Sequence, residues 1–225
     1  MRHIVILTGA GMSAESGLKT FRDANGLWEG HDVMEVASPE GFAANPELVL
    51  EFYNQRRQQL LEVQPNTAHY DLAALEQDYK VTIVTQNLDD LHERAGSSNI
   101  VHLHGELLKV RPINSINNII HWTKPLLLGD LDTNGNQLRP HIVWFGEAVP
   151  MLDKAIKICN TADILVIIGT SMQVYPAASL INYVPDNIPI YFIDPNPALS
   201  NTKAISVIAK KATEGVKDLV SFLKN

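Results

Sequence analysis

The sequence predicts an α/β fold, an open parallel sheet with helices on both faces and a small second domain inserted in it. Short apolar runs rich in β-branched residues recur along the chain, and several are continuous rather than alternating, which is typical of parallel strands covered on both faces. Helical stretches lie between these runs. The first strand leads directly into a glycine-rich turn at residues 9–17, the place where such folds commonly bind phosphate.

Six strands and five helices are predicted in alternation. The strands are residues 4–8, 81–85, 100–103, 142–145, 164–169 and 190–194. The helices are residues 46–62, 67–78, 88–95, 151–159 and 214–223, the first of them with Asn45 as N-cap and Pro46 at the first helical position.

Two long excursions, residues 18–66 and 108–140, interrupt the alternation of strands and helices. Long excursions in a compact domain usually form lids or small subdomains. We therefore assign about residues 1–30, 66–107 and 141–225 to a large domain and about residues 31–65 and 108–140 to a small one.

Composition excludes several classes of protein. Of the 225 residues, 45% are hydrophobic, yet no stretch reaches the roughly 20 apolar residues that span a bilayer. The net charge of −7 argues against nucleic-acid binding. The single cysteine, Cys159, and an N-terminus without an export signal lead us to expect a cytoplasmic protein.

The glycine-rich turn fits a dinucleotide fingerprint. Gly9 permits a tight exit from the strand, Gly11 allows close backbone approach to a pyrophosphate, and Ala14 occupies the small third position. A following helix would direct free N–H groups at the anion. The alternative is a tight turn whose glycines serve packing alone. The acidic residue expected about 20 positions later is missing, and Asp194, at a late strand end, is the candidate for the ribose ligand.

Five sequence blocks, residues 9–23, 85–89, 102–106, 139–147 and 169–171, resemble the signature blocks of the sirtuin family, in the family's order. The chain is most similar to bacterial sirtuins of the desuccinylase/demalonylase class. The resemblance implies a Rossmann-like NAD domain, a small second domain and acyl-lysine binding between them. It also implies transfer of the acyl group from lysine to the ADP-ribose part of NAD, with release of nicotinamide.

The resemblance assigns roles to individual residues. His104 matches the catalytic base, and histidine suits this task because its ordinary pKa is about 6.5; the alternative is a strand-end histidine that only packs. Asn87 lies by the nicotinamide ribose in the family and Asp89 holds the nicotinamide amide, although Asn87 could instead cap a helix. The full set matched to NAD is Gly9, Ala10, Gly11, Ser13, Glu15, Thr20, Phe21, Arg22, Gln86, Asn87, Asp89, Gly169, Thr170, Ser171, Val174, Asp194, Asn196 and Ala212.

A second set of residues is matched to the acyl-lysine substrate. Tyr53 and Arg56, three apart on the predicted helix, match the pair of sirtuins that remove succinyl or malonyl groups. Their neighbouring positions on one helix face suit an arginine gripping a carboxylate with help from a hydroxyl. The alternative is an amphipathic helix with the tyrosine in the core. Val143, Trp144, Phe145 and Gly146 complete the predicted substrate site.

The resemblance fails at the structural zinc. Sirtuins usually carry four zinc-binding cysteines in the second domain, but residues 107–140 contain none, so we predict no zinc or other metal there. The apolar side chains expected to replace it are Ile113, Ile116, Ile119, Ile120, Trp122 and Leu126, Leu127 and Leu128. Asp130, Asp132 and Asn134 resemble the start of a calcium loop, but His141 stands where a glutamate is needed, which favours a polar hairpin.

The leading hypothesis is therefore an NAD-dependent lysine deacylase, acting as a monomer on acylated proteins or peptides. An ADP-ribosyltransferase or NAD hydrolase shares the same pocket and remains the first alternative. A module that senses NAD or ADP-ribose without turnover is the second.

Overall fold

The computed structural model describes residues 1–19, 27–28 and 30–224. Six strands form one sheet in the order β11-β10-β9-β1-β4-β5, and all neighbouring strands in it are parallel. These strands are β1 (His3–Thr8), β4 (Lys80–Thr85), β5 (Ile100–His102), β9 (Ile164–Ile168), β10 (Ile190–Ile193) and β11 (Ile205–Ile208).

Within the described residues, α-helices and two small sheets surround this sheet. The α-helices are α1 (Val33–Val36), α2 (Pro39–Ala44), α3 (Pro46–Glu62), α4 (Thr67–Ala74), α5 (Leu91–Arg94), α6 (Leu152–Cys159) and α7 (Ala212–Leu223). The remaining strands are β2 (Leu27–Trp28) and β3 (His31–Asp32), which pair together, and the antiparallel sheet of β6 (Gly105–Pro112), β7 (Ile120–His121) and β8 (Leu138–Ile142). None of the helices in the described ranges is long and apolar enough to cross a membrane.

Strand β1 shows why the apolar runs are continuous. Ile4 and Ile6 belong to a core that includes residues of α4 and α7, whereas Val5 and Leu7 belong to a core that includes residues of α6. Because successive side chains point to opposite faces of the sheet, a strand covered on both faces needs apolar residues at every position. The prediction of a parallel sheet with helices on both faces is thus confirmed.

The parallel register brings the strand ends into one row. Thr8, at the end of β1, is opposite Thr85 of β4 and Ile168 of β9, while Thr85 is opposite His102 of β5. From β1 the chain goes to β4 and β5 on one side and returns to β9 on the other. Ligands of open α/β sheets bind at such a reversal, beyond the carboxyl ends of the strands.

Two glycine turns meet at this reversal. The Gly11 amide donates to the Gly169 carbonyl over 2.9 Å. A Cβ on Gly9 would lie 2.7 Å from the Gly169 carbonyl oxygen, and one on Gly169 would lie 2.4 Å from the Met12 amide nitrogen. Gly169 also has φ +63, a left-handed conformation that favours glycine. The backbones pack directly on each other, which no side chain permits.

A second apolar core lies outside the six-stranded sheet, mainly in the segments that we predict to form the small domain. Helices α1, α2 and α3 pack with β6 and β8 through buried residues that include Val36, Leu50, Leu107, Leu138 and Trp144. Polar side chains of α3 connect the parts of this region by hydrogen bonds. The Asn54 amide bonds both the N–H and the carbonyl of Leu126, and the Arg57 guanidinium, 1% exposed, donates to the Leu107 carbonyl and to Asn54.

The predicted apolar replacement for zinc was wrong for most of its members. Leu126 is fully buried and Trp122 packs partly against the core. The others are between 39% and 59% exposed, namely Ile113, Ile116, Ile119, Ile120, Leu127 and Leu128. The reason is their position, because they lie on the two-residue strand β7 or in the irregular connections on either side of it. The Gln137 side chain ties the hairpin instead, accepting from Gly129 and donating to the Leu127 carbonyl.

Several predicted boundaries also need correction. Two short 3-10 helices, Ala10–Met12 and Ala14–Ser16, follow β1 in place of the expected longer helix. Residues 142–145 are not a parallel strand, since β8 ends at Ile142 and pairs antiparallel with β6. Helix α5 is shorter than predicted, and β6, β7 and β11 were not predicted. The expected polar hairpin at residues 130–137 is confirmed by the bridge between Leu131 and Gln137.

We predict that Gly169→Ala destabilises the protein by more than about 3 kcal/mol. The added Cβ would collide with backbone atoms, and alanine would have to adopt the positive φ of this position. Gly135→Ala is the matched control. Gly135 has φ +82, but nothing lies within 4 Å of the position that a Cβ would take, so only the conformational cost of about 1–2 kcal/mol remains. Urea unfolding measures both, and equal losses would contradict the role given to the glycine contact.

Candidate active site

A buried polar cluster lies just beyond β1 and β4. The Ser13 hydroxyl donates to the Asp89 carboxylate over 2.8 Å, and the Asn87 amide donates to Ser13 over 3.2 Å. All three residues are at most 7% exposed. Ser13 comes from the glycine turn and the other two from the segment after β4, so residues 76 positions apart form one hydrogen-bonded unit.

The segment after β4 is itself fixed by local hydrogen bonds. The backbone N–H of Asn87 donates to the Thr85 hydroxyl over 3.0 Å, and the backbone N–H of Leu91 donates to the Asp89 carboxylate over 3.2 Å. Asp89, not Asn87, therefore supplies the side chain that accepts from the start of α5. The Asn87 side chain is left for the site.

His104 lies beyond β5 with a defined tautomer. Its Nδ1 is 3.3 Å from the Gln86 carbonyl oxygen, and because a carbonyl only accepts, Nδ1 carries the proton. Nε2 is then the atom with the lone pair. Burial lowers the pKa of His104 despite the opposing effect of this hydrogen bond, which keeps the ring neutral near pH 7. These are the requirements of a general base.

The opposite side of the row is formed by the turn after β9. The Gln86 amide lies 3.4 Å from the Thr170 hydroxyl, which also accepts from the Met172 N–H over 3.2 Å. Asp194, 3% exposed, follows β10 and accepts from the Asn196 N–H. Thr170 and Asp194 thus stand at adjacent strand ends, as the parallel pairing of β9 with β10 requires.

The other residues assigned to NAD occupy varied places. Glu15 accepts from the Thr213 N–H and hydroxyl, each over 2.9 Å, and so anchors the first turn of α7, which begins at Ala212. Ala10, Ser171 and Val174 are partly buried and Asn196 is exposed. Thr20, Phe21 and Arg22 lie outside the described residues.

Tyr53 and Trp144, both assigned to the acyl site from the sequence, are buried in one apolar core. The Trp144 indole N–H donates to the Tyr53 hydroxyl oxygen over 3.0 Å, and both residues are at most 2% exposed. Burial raises the pKa of Tyr53, so the phenol keeps its proton. Its oxygen accepts from Trp144. The Arg56 guanidinium lies one turn along α3, 4.7 Å from the centre of the Phe52 ring.

Sequence reasoning missed how Trp144 is held. The Arg139 guanidinium stacks 3.4 Å from the Trp144 ring centre and donates twice to Glu147, over 2.7 and 3.0 Å. Glu147 in turn accepts from the Trp144 N–H over 2.8 Å. The eight-residue spacing of an arginine and a glutamate around the Trp-Phe-Gly motif was the available signal.

The other residues predicted to bind substrate make backbone contacts at both ends of their segment. The Val143 N–H donates to the His104 carbonyl over 2.8 Å, and the Phe145 N–H donates to the Ala37 carbonyl over 2.9 Å. Gly146 has φ +88, and the Phe145 side chain is 41% exposed. The segment 143–146 therefore runs from His104, beyond the end of β5, to Ala37, just after α1.

The site fits NAD and does not fit the family's zinc. The buried Ser13, Asn87 and Asp89 cluster supplies polar groups of fixed orientation beyond the strand ends. The four cysteine donors of the family's zinc are missing, because Cys159 is the single cysteine and is buried on α6.

Comparisons with known proteins agree with this geometry. The model of the Sir2 family matches residues 9–176. An NAD-dependent protein deacylase of Helicobacter pylori is 58% identical over 224 residues, covering 99% of this chain and 98% of that protein. One from Bacteroides thetaiotaomicron is 54% identical over 231 residues, with the same two coverages.

Solved structures give the same result. A Sir2 homologue mutant in complex with ADP-ribose is 40% identical, with a TM-score of 0.89, and the match covers 99% of this chain and 92% of that one. A Sir2 homologue in complex with NAD is 40% identical, with a TM-score of 0.86 and coverages of 99% and 89%.

We predict that Asp89→Asn raises the free energy of unfolding by about 1–3 kcal/mol at neutral pH. Burial raises the pKa of Asp89 to about 6, above its ordinary value of about 3.9. The ionised carboxylate therefore costs stability, fully above about pH 6 and not at all below about pH 4. An asparagine has no such cost.

Urea unfolding of both proteins from about pH 4 to about pH 7.5 measures this effect. The two curves should coincide in acid and separate as the pH rises through about 6. A variant that is less stable than the wild type at neutral pH, or a difference independent of pH, would count against the assignment.

Proposed function

Because the chain belongs to the Sir2 family, we propose that it is an NAD-dependent protein-lysine deacylase that prefers succinyl and malonyl groups and also removes acetyl groups. NAD is its co-substrate, as the deacylase names of the relatives indicate. The observation that carries the proposal is His104, a half-buried neutral imidazole whose Nδ1 donates to the carbonyl of Gln86, next to Asn87 in the chain, and whose Nε2 is left as a base.

Each group has a task in the proposed reaction. The acyl oxygen attacks the anomeric carbon of the nicotinamide ribose, and nicotinamide leaves. Asn87 and Asp89 orient the ribose and the amide of the leaving group, since fixed dipoles act without reorganisation as charge develops. His104 then accepts a proton from a ribose hydroxyl, which attacks the imidate carbon. Water completes the reaction to give free lysine and O-acyl-ADP-ribose.

The preference for acidic acyl groups rests on Tyr53 and Arg56. A succinyl or malonyl carboxylate needs a cation and a donor. Arg56 supplies the charge, and the Tyr53 proton supplies a hydrogen bond, because its oxygen is already engaged by Trp144. Burial raises the pKa of Tyr53, so it remains a donor at neutral pH. An acetyl group uses neither interaction.

The test of activity uses NAD and peptides that differ only in a succinyl, malonyl or acetyl group on one lysine. We expect NAD-dependent removal of all three acyl groups, and mass spectrometry of the peptides measures it. His104→Ala should lower turnover by more than about 100-fold, whereas His121→Ala, at an exposed position on β7, should leave it unchanged. If no peptide loses its acyl group, the proposed function is wrong.

The test of specificity compares kcat/KM for the same peptides in Tyr53→Phe and Arg56→Met. We expect each variant to lose about 10- to 100-fold on the succinyl peptide, the value of one charge-assisted hydrogen bond of about 1.5–3 kcal/mol. The loss on the acetyl peptide should be much smaller. Equal losses on both peptides would refute the assignment of the pair to the acyl carboxylate.

A further inference from the structure

One cluster of metal-binding side chains lies outside the proposed NAD pocket. It consists of Glu93 on α5, His102 at the end of β5 and Glu106 on β6, with one donor atom from each within 4.8 Å of the others. No other group of three or more His, Cys, Asp or Glu side chains comes this close within residues 1–19, 27–28 and 30–224.

The distances are close to those of a coordination sphere. The His102 Nε2 atom lies 2.7 Å from Glu93 Oε1 and 4.0 Å from Glu106 Oε1. Ligands of a tetrahedral Zn²⁺ ion at about 2.0 Å stand about 3.3 Å apart. Adjustments of less than about 1 Å at the two glutamates therefore place all three atoms around one ion. With one histidine and two carboxylates as ligands, the fourth coordination position of the ion is left to water.

The second ring nitrogen of His102 makes the hydrogen bond that is typical of a metal-ligating histidine. Its Nδ1 atom is 3.3 Å from the Asn87 carbonyl oxygen, which only accepts, so Nδ1 bears a proton. Metal-bound histidines almost always donate their second ring N–H to a carbonyl or carboxylate, which fixes the ring. The His102 side chain is also only 9% exposed, so it has little freedom to turn away.

We propose that Glu93, His102 and Glu106 bind one first-row divalent metal ion of the zinc class. The donor set suits Zn²⁺ or Co²⁺, because imidazole favours these ions over Mg²⁺ and Ca²⁺. Without the ion, Glu93 pairs with His102 and Glu106 with Lys109, whose Nζ lies 2.6 Å away. Binding forms the bond from Nε2 to the metal, breaks the N–H bond facing Glu93 and releases that proton to solvent.

The position of the ion gives it a structural effect. It would join α5, β5 and β6 at the residue whose other nitrogen holds the Asn87 backbone. Asn87 is part of the polar cluster of the proposed NAD pocket, so occupancy would fix one wall of that pocket. The inference about binding itself does not depend on the enzymatic activity.

The experiment titrates Co²⁺ or Zn²⁺ into the full chain after removal of any affinity tag and treatment with chelator. We expect one ion per chain, a visible Co²⁺ spectrum of low coordination number and a higher Tm with Zn²⁺. His102→Asn should abolish the site. Glu93→Gln and Glu106→Gln should each weaken binding by more than about tenfold, since loss even of an outer partner costs about 10- to 100-fold.

The controls separate this site from general metal binding. His121→Asn removes an exposed histidine outside the cluster and should bind like the wild type. Glu93→Gln changes a side chain that is 40% exposed, so it is expected to fold even if His102→Asn does not. Absence of binding by the wild type, or binding that is unaffected by Glu93→Gln and Glu106→Gln, overturns the proposal.

Discussion

The contact between two glycine turns determines how the site is assembled. Gly11 donates to the Gly169 carbonyl, and the close approach of Gly9 and Gly169 leaves no room for a Cβ on either. This contact joins the end of β1 to the end of β9 where the strand order reverses. With the two turns in contact, Ser13 reaches Asp89 on one side and Thr170 reaches Gln86 on the other. The glycines thus serve packing and, through it, the placement of polar groups that a dinucleotide needs.

Helix α3 carries both the polar contacts to β6 and the 126 segment and the two residues proposed to bind the acyl group. Asn54 and Arg57 hydrogen-bond to Leu126 and to β6, while Tyr53 and Arg56, each one position earlier, are the pair that we propose for the acyl carboxylate. The two pairs have the same spacing and are rotated by about 100° on the helix. Fixing one pair therefore fixes the other. Residues 107–140 contain no cysteine, and these buried hydrogen bonds are among the contacts that hold this region in place.

The sequence was a good guide to the parallel sheet and a poor one to the small domain. Continuous apolar runs predicted β1, β4 and β9 to within a residue, because strands covered on both faces carry the signal at every position. Ile116 and Ile119 were predicted to be buried but are exposed, because composition alone does not tell which apolar residues of an irregular segment face inward. Motif resemblance located His104 and Asn87, but the tautomer of His104 and the Arg139, Glu147 and Trp144 stack depend on contacts between distant residues. No pattern of neighbours along the chain encodes those contacts.

The proposed mechanism requires that this pocket consume NAD by transferring the acyl group of lysine to ADP-ribose. The decisive measurement is the identity of the ADP-ribose product formed with a succinyl-lysine peptide, determined by mass spectrometry at early times. We expect O-succinyl-ADP-ribose in equal amount to the nicotinamide released and to the free lysine formed. Free ADP-ribose with the succinyl-lysine intact, or ADP-ribose attached to protein, would contradict this mechanism and identify the chain as an NAD hydrolase or an ADP-ribosyltransferase.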